Sequence, residues 1–261
     1  MDAAPTTERS VILPRVSWQT YARIVCDAGD TGAVRFFYDR RMLGIFHPSQ
    51  LHEETKSALN SLVERIDDEW GWDFRNLCST AFKDESLTRG FEPDTCFYVQ
   101  RFAEIAGKET FAFPADPAPD LVIEVDIISP SLERLPLYSK FGVREVWRTD
   151  ATGTVTIYRF DDAGNATDEA ESAVLPALTG EQVAAFLAQN KTLSRRDWIS
   201  AVREWSRTHP PAQNLALDGM GSGVVYGGAV APQRYSGEVG AQGSLIVRGC
   251  RWKTLLKPAT Y

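Results

Sequence analysis

The chain has 261 residues, of which 28 are Lys or Arg and 35 are Asp or Glu, giving a formal charge of -7 at pH 7. That balance argues against a protein that coats nucleic acid through basic residues alone, because such binding draws its affinity from phosphate neutralisation; a nuclease whose acidic site meets phosphate through cations stays open. Cys26, Cys78, Cys96 and Cys250 never approach a C-x-x-C spacing, which argues against a zinc knuckle or a disulfide framework and suits a reducing cytosol.

Residues 1–15 show no basic stretch followed by an apolar one and are expected to be a flexible N-terminus, and no later segment nears the roughly eighteen apolar residues of a membrane span. A soluble cytoplasmic protein without membrane contact is expected. An amphipathic helix is predicted over 16–27, then a hairpin of strands 33–38 and 41–46 turning at Asp39-Arg40. A longer helix follows over 51–68, with Leu51, Ala58, Leu59, Leu62, Val63 and Ile66 on one stripe. His52 falls inside that stripe, either as a hydrogen-bonded core histidine or as a functional group.

Strands are expected over 77–82, 92–99 and 120–128, with a Pro-rich connection at 114–119. A short helix over 133–141 tolerates Pro136 only near its start and stops at Gly142. Strands 144–149 and 154–160, a polar segment 161–171 and helices 180–190 and 195–207, capped by Thr179 and Ser194, complete a domain over 16–208. From 209 to 261 glycine is frequent and acids nearly vanish, so a flexible or atypical tail is expected. The order suggests an α/β fold around a mixed sheet.

The segment Asp120-Leu-Val-Ile-Glu-Val-Asp-Ile-Ile128 carries the chemistry. It reads as a buried strand, with Leu121, Ile123, Val125 and Ile127 on one face and Asp120, Val122, Glu124 and Asp126 on the other. Buried carboxylates need a partner or a metal. Asp94, in the Glu92-Pro-Asp94 strand, could reach the same place as Glu124, with the Val125 carbonyl as a third oxygen for a hard cation. Asp120 reads as a cap at the strand entrance, and Tyr138 and Trp147 as core. Two readings stand for Asp126: a further metal ligand, or an ion pair with Arg134. A serine hydrolase is disfavoured, since no Gly-x-Ser-x-Gly elbow occurs.

The ordered series of His52 after Pro48-Ser49, Glu92-Pro93-Asp94, Pro119-Asp-Leu-Val-Ile-Glu-Val125, Ser129-Pro-Ser131, Leu135-Pro-Leu-Tyr138 and Gly142-Val-Arg-Glu-Val-Trp147 resembles the Uma-type family of putative restriction endonucleases, within the PD-(D/E)XK nuclease superfamily. The resemblance covers about 16–208. It implies a restriction-endonuclease-like core, a mixed β-sheet flanked by helices, with Asp94 and Glu124 around Mg²⁺, for which Mn²⁺ can substitute, and DNA as substrate. Cleavage of both strands of a duplex implies a homodimer. The chain departs from the superfamily where Glu-x-Lys is expected: here stands Glu124-Val125-Asp126. The resemblance moves the missing lysine's role to the following helix, at Arg134. Arginine stabilises phosphate charge but hardly ever gives up its proton. The alternative is a catalytically inactive nuclease-fold module that binds nucleic acid or a protein partner.

Overall fold

The structure, a computed structural model, describes residues 8–29, 34–127 and 132–211. The Ser129-Pro130-Ser131 segment and the residues from 212 onward, where a flexible or atypical tail is expected, lie outside the described residues.

The N-terminal expectation is corrected from Arg9 onward. Strand β1 (Arg9–Pro14) runs antiparallel to β3 (Met42–His47), with Ile12 opposite Gly44. Its side chains are all exposed, so no pattern of burial marks it in the sequence; backbone pairing alone organises it. Helix α1 (Trp18–Ala28) starts where Ser17 Oγ accepts the Thr20 N–H. Strand β2 (Arg35–Asp39) joins β3 through Arg40 and Arg41, whose φ of 43° and 81° is the positive-φ pair of a two-residue hairpin loop.

Helix α2 (Gln50–Trp70) is capped by Ser49 Oγ, which accepts the His52 N–H, and ends at Gly71 in the left-handed conformation. The strand expected over 77–82 is not formed. The chain instead makes β4 (Arg75–Asn76), turns at Cys78 with φ 51°, and makes β5 (Phe82–Asp84) and β6 (Arg89–Phe91). Asn76 Oδ1 accepts the Cys78 N–H, a local turn that competes with strand extension. Then come β7 (Thr95–Tyr98), α3 (Phe102–Ile105), β8 (Leu121–Asp126), a 3-10 turn at Leu132–Arg134 and α4 (Leu135–Phe141). Gly142 closes α4 at φ 80°. Strands β9 (Glu145–Asp150), β10 (Val155–Phe160) and β11 (Ala166–Glu169) precede α5 (Gly180–Thr192) and α6 (Arg195–Thr208).

Two sheets result where one was expected. The first, in order β1-β3-β2-β6-β5, is antiparallel throughout. The second, β11-β10-β9-β8-β7-β4, is the expected mixed sheet, since β8 and β9 run parallel and the other pairs antiparallel. Parallel neighbours need a crossover, and α4 lies between them in the chain. One face of β8, with Leu121, Ile123 and Val125, packs with Trp147 and Ile157 against Leu59, Leu62, Val63 and Ile66 of α2, Phe186 of α5 and Trp198 of α6. The other face contributes Val122 to a second core with Val146, Leu135, Tyr138 and Phe141, and with Phe82 and Phe91 of the first sheet. The acidic residues of β8 lie on this second face, between the sheets. Among the described residues no helix is long and apolar enough to cross a membrane.

Candidate active site

Strand alternation sends Val122, Glu124 and Asp126 to one side of the sheet. Thr95 pairs with Ile123 in the antiparallel β7–β8 ladder. Continuing that register by one residue sets Asp94 opposite Glu124, and directly opposite residues share a face. Asp94, Glu124 and Asp126 are all buried. So the carboxylates expected to converge do converge.

Asp94 is held on both oxygens. His52 Nε2 stands 2.9 Å from Oδ1, and the Val125 N–H donates to Oδ2 at 2.8 Å. Burial alone would raise the Asp94 carboxyl, but contact with His52, the Val125 N–H and the charge of Arg134 outweigh it and hold the group below its ordinary range. His52 itself is fixed by the α2 cap and by the ring of Phe46, 5.2 Å away centroid to centroid. His52 Nδ1 is buried with no hydrogen-bond partner among the described residues. Val125 thus contributes its N–H to Asp94, while its side chain lies in the opposite core.

Glu124 is in a different state. Tyr138 Oη–H donates to Oε1 at 2.5 Å, while among the described residues Oε2 accepts no hydrogen bond and has Arg134 Nη2 at 3.2 Å. Burial pushes its pKa up to about 8; Arg134 draws it down, and Asp94 and Asp126 push it further up. The surrounding acidic groups, Glu124, Asp94 and Asp126 among them, keep Arg134 protonated against its burial. Tyr138, expected as core, is core and also a donor to the acid; burial raises its own pKa, so it stays a neutral hydroxyl.

Of the two readings of Asp126, the ion pair is present, at 3.8 Å from Arg134 Nη2. A second arginine, absent from the expected set, joins it: Arg148 Nε donates to Asp126 Oδ2. Arg148 pairs with Glu124 in the parallel β8–β9 register, a neighbourhood that only the strand pairing creates. Asp120 acts as the cap that was expected, accepting the N–H groups of Val99 and Arg101 on Oδ2.

Mg²⁺ is usually held by one or two carboxylates, completed by water and substrate phosphate, rather than by an all-protein cage. The facing pair of Asp94 and Glu124, with Glu124 Oε2 buried and not hydrogen-bonded by any described residue, fits that demand. Among the described residues no group of three or more His, Cys, Asp or Glu is placed to hold a metal ion.

No curated protein matches this chain. It is similar to the crystal structure of a putative nuclease belonging to DUF820 from Anabaena variabilis ATCC 29413, at 16% identity and a TM-score of 0.46, over 66% of this chain and 99% of that one. The model of the Uma2 family, described as putative restriction endonuclease, matches residues 40–186, a span that holds His52, Asp94, Glu124, Asp126, Arg134, Tyr138 and Arg148. With more than half of its length matched, the chain belongs to the Uma2 family of putative restriction endonucleases.

Proposed function

We propose that this protein is a metal-dependent DNA endonuclease that hydrolyses phosphodiester bonds, with Asp94 and Glu124 as ligands of Mg²⁺, or of Mn²⁺ in its place. The observation that carries the reading is the pair of facing buried carboxylates in opposite states, one held ionised by His52 and the other holding its proton to about pH 8 beside an arginine. A bound divalent cation would lower the pKa of an attacking water and offset charge on the phosphate. The protein's own residues do the rest. His52 and the Val125 N–H orient Asp94 towards Glu124, and the Val125 carbonyl serves as a third oxygen. Glu124 would hold the cation as a carboxylate, and the Tyr138 hydroxyl, which donates to its Oε1, would stabilise that charged form. Arg134 cannot serve as a general base and acts on the charge of the phosphate. Asp126 is a holder of arginines in this scheme, with no direct metal bond. A homodimer places one such site on each strand of a duplex.

A second reading is favoured by one contact: Arg134 already sits on Glu124 and Asp126, closing the acidic pair with a protein cation. In that case the chain is a binding module without catalysis. Incubation with supercoiled plasmid and Mg²⁺ or Mn²⁺ separates the two. The nuclease reading expects nicking by the wild type and none by the Asp94→Ala, Glu124→Ala double variant. No nicking, or equal nicking by both, would overturn it.

A further inference from the structure

Asp126 occupies the place where a lysine is expected, so the site should be one positive charge short. It is not. Two guanidinium groups reach the single Asp126 carboxylate, Arg134 from the turn before α4 and Arg148 from β9. Both guanidinium groups stand beside the acidic pair, on the face of the sheet that carries Glu124.

The two arginines are not equally occupied. Arg134 spans Glu124 and Asp126 and lies over the Phe37 ring, 5.7 Å from its centroid. Arg148 commits only Nε, to Asp126, and its Nη groups bond to no described residue. Its side chain keeps 15% of its surface exposed, while that of Asp126 keeps 2%. An anchored guanidinium with a free Nη pair matches two oxygens of a phosphate in a fork.

We propose that Arg148 is a phosphate-contacting residue of the DNA site, aimed by Asp126 and acting beside Arg134. The inference rests on the nuclease reading for the identity of its anion, a backbone phosphodiester. It accounts for the acid in the lysine position: Asp126 replaces one basic side chain by holding two that come from elsewhere in the fold.

The test is fluorescence anisotropy of a labelled DNA duplex in EDTA, where no cleavage occurs, over a series of salt concentrations. Each phosphate contact contributes about 0.9 to the slope of log affinity against log salt. The Arg148→Met variant is expected to bind about tenfold more weakly and to lose about one unit of that slope, the signature of a lost phosphate contact. Arg148→Lys keeps the charge and the fold, so it decides the matter if the methionine variant does not fold: its slope should match the wild type while affinity falls a few-fold with the loss of the fork. A wild-type slope and affinity in Arg148→Met, or unchanged affinity in Arg148→Lys, would overturn the proposal, as would wild-type protein that binds no duplex. Wild-type protein that binds with the expected Arg148 dependence but never nicks with Mg²⁺ or Mn²⁺ would sink the nuclease reading and leave Arg148 in its role.

Discussion

Glu124 and Glu145 are both fully buried, on adjacent strands of the same sheet, yet they do opposite work. Glu145 points to the side of Leu121 and Trp147 and is saturated by neutral donors. Trp147 Nε1 and Ser172 Oγ donate to Oε1 at 2.6 and 2.5 Å, and the Ala173 N–H donates to Oε2 at 2.7 Å. It ties the β11–α5 connection to the sheet. Burial still raises its pKa, against those hydrogen bonds. Glu124 points to the other face and, among the described residues, has one hydrogen bond, from Tyr138, one ion pair, with Arg134, and the acidic neighbours Asp94 and Asp126. Burial alone therefore does not mark a site; the difference lies in whether the fold has satisfied the acid or left part of it for something else.

That contrast can be broken by substitution. Glu124→Gln copies the neutral form and keeps the Tyr138 bond, so it should fold and yet lose cleavage by more than about a hundredfold, since even outer-shell changes at metal sites cost 10–100-fold. Its stability should separate from the wild type with pH. A folded-state pKa raised to about 8 gives an advantage complete below the ordinary carboxylate range and lost as pH rises through 8, a loss that glutamine escapes. Thermal melts at pH 5 and pH 9 check this; a variant less stable than the wild type at pH 9 contradicts it. Glu145→Ala should do the reverse. Leaving buried donors unmatched costs about 2 kcal/mol or more by urea unfolding, with nicking per folded molecule unchanged. If that variant loses its cleavage while folded, the two glutamates are not separable. The smallest effect belongs to Tyr138→Phe. Removing the donor to Glu124 should shift the alkaline rise of nicking upward by about one pH unit, the equivalent of one hydrogen bond. An unmoved pH profile would detach Tyr138 from the acid's titration.

The sequence exposes Glu124 because an acid inside an apolar strand has no bland explanation, and Asp94 because a Pro-Asp strand start could align with it. Glu145 shows the limit of that logic. It too sits in a strand with Val146 and Trp147, and nothing in the local pattern tells a satisfied acid from an open one. Arg148 was illegible for a related reason: along β9 it reads as a solvent-side residue, and only the parallel pairing with β8 brings it beside Glu124. Tyr138 was placed correctly in the core, but its hydroxyl's partner depends on where α4 docks. Strand β1 and the division into two sheets depend on backbone pairing and on short strands ended by positive-φ residues such as Cys78 and Thr88, which carry little periodicity.

The claim that β8 carries a metal-dependent site on one face comes down to Glu124 exchanging a proton for a cation. Calorimetric titration with Mn²⁺ from pH 6 to pH 9 measures that exchange directly. The wild type should bind with an affinity that rises about tenfold per pH unit until about pH 8 and then levels, while Glu124→Gln binds weakly and without that slope. Equal binding by the two proteins, or no Mn²⁺ binding by the wild type at any pH, would contradict it.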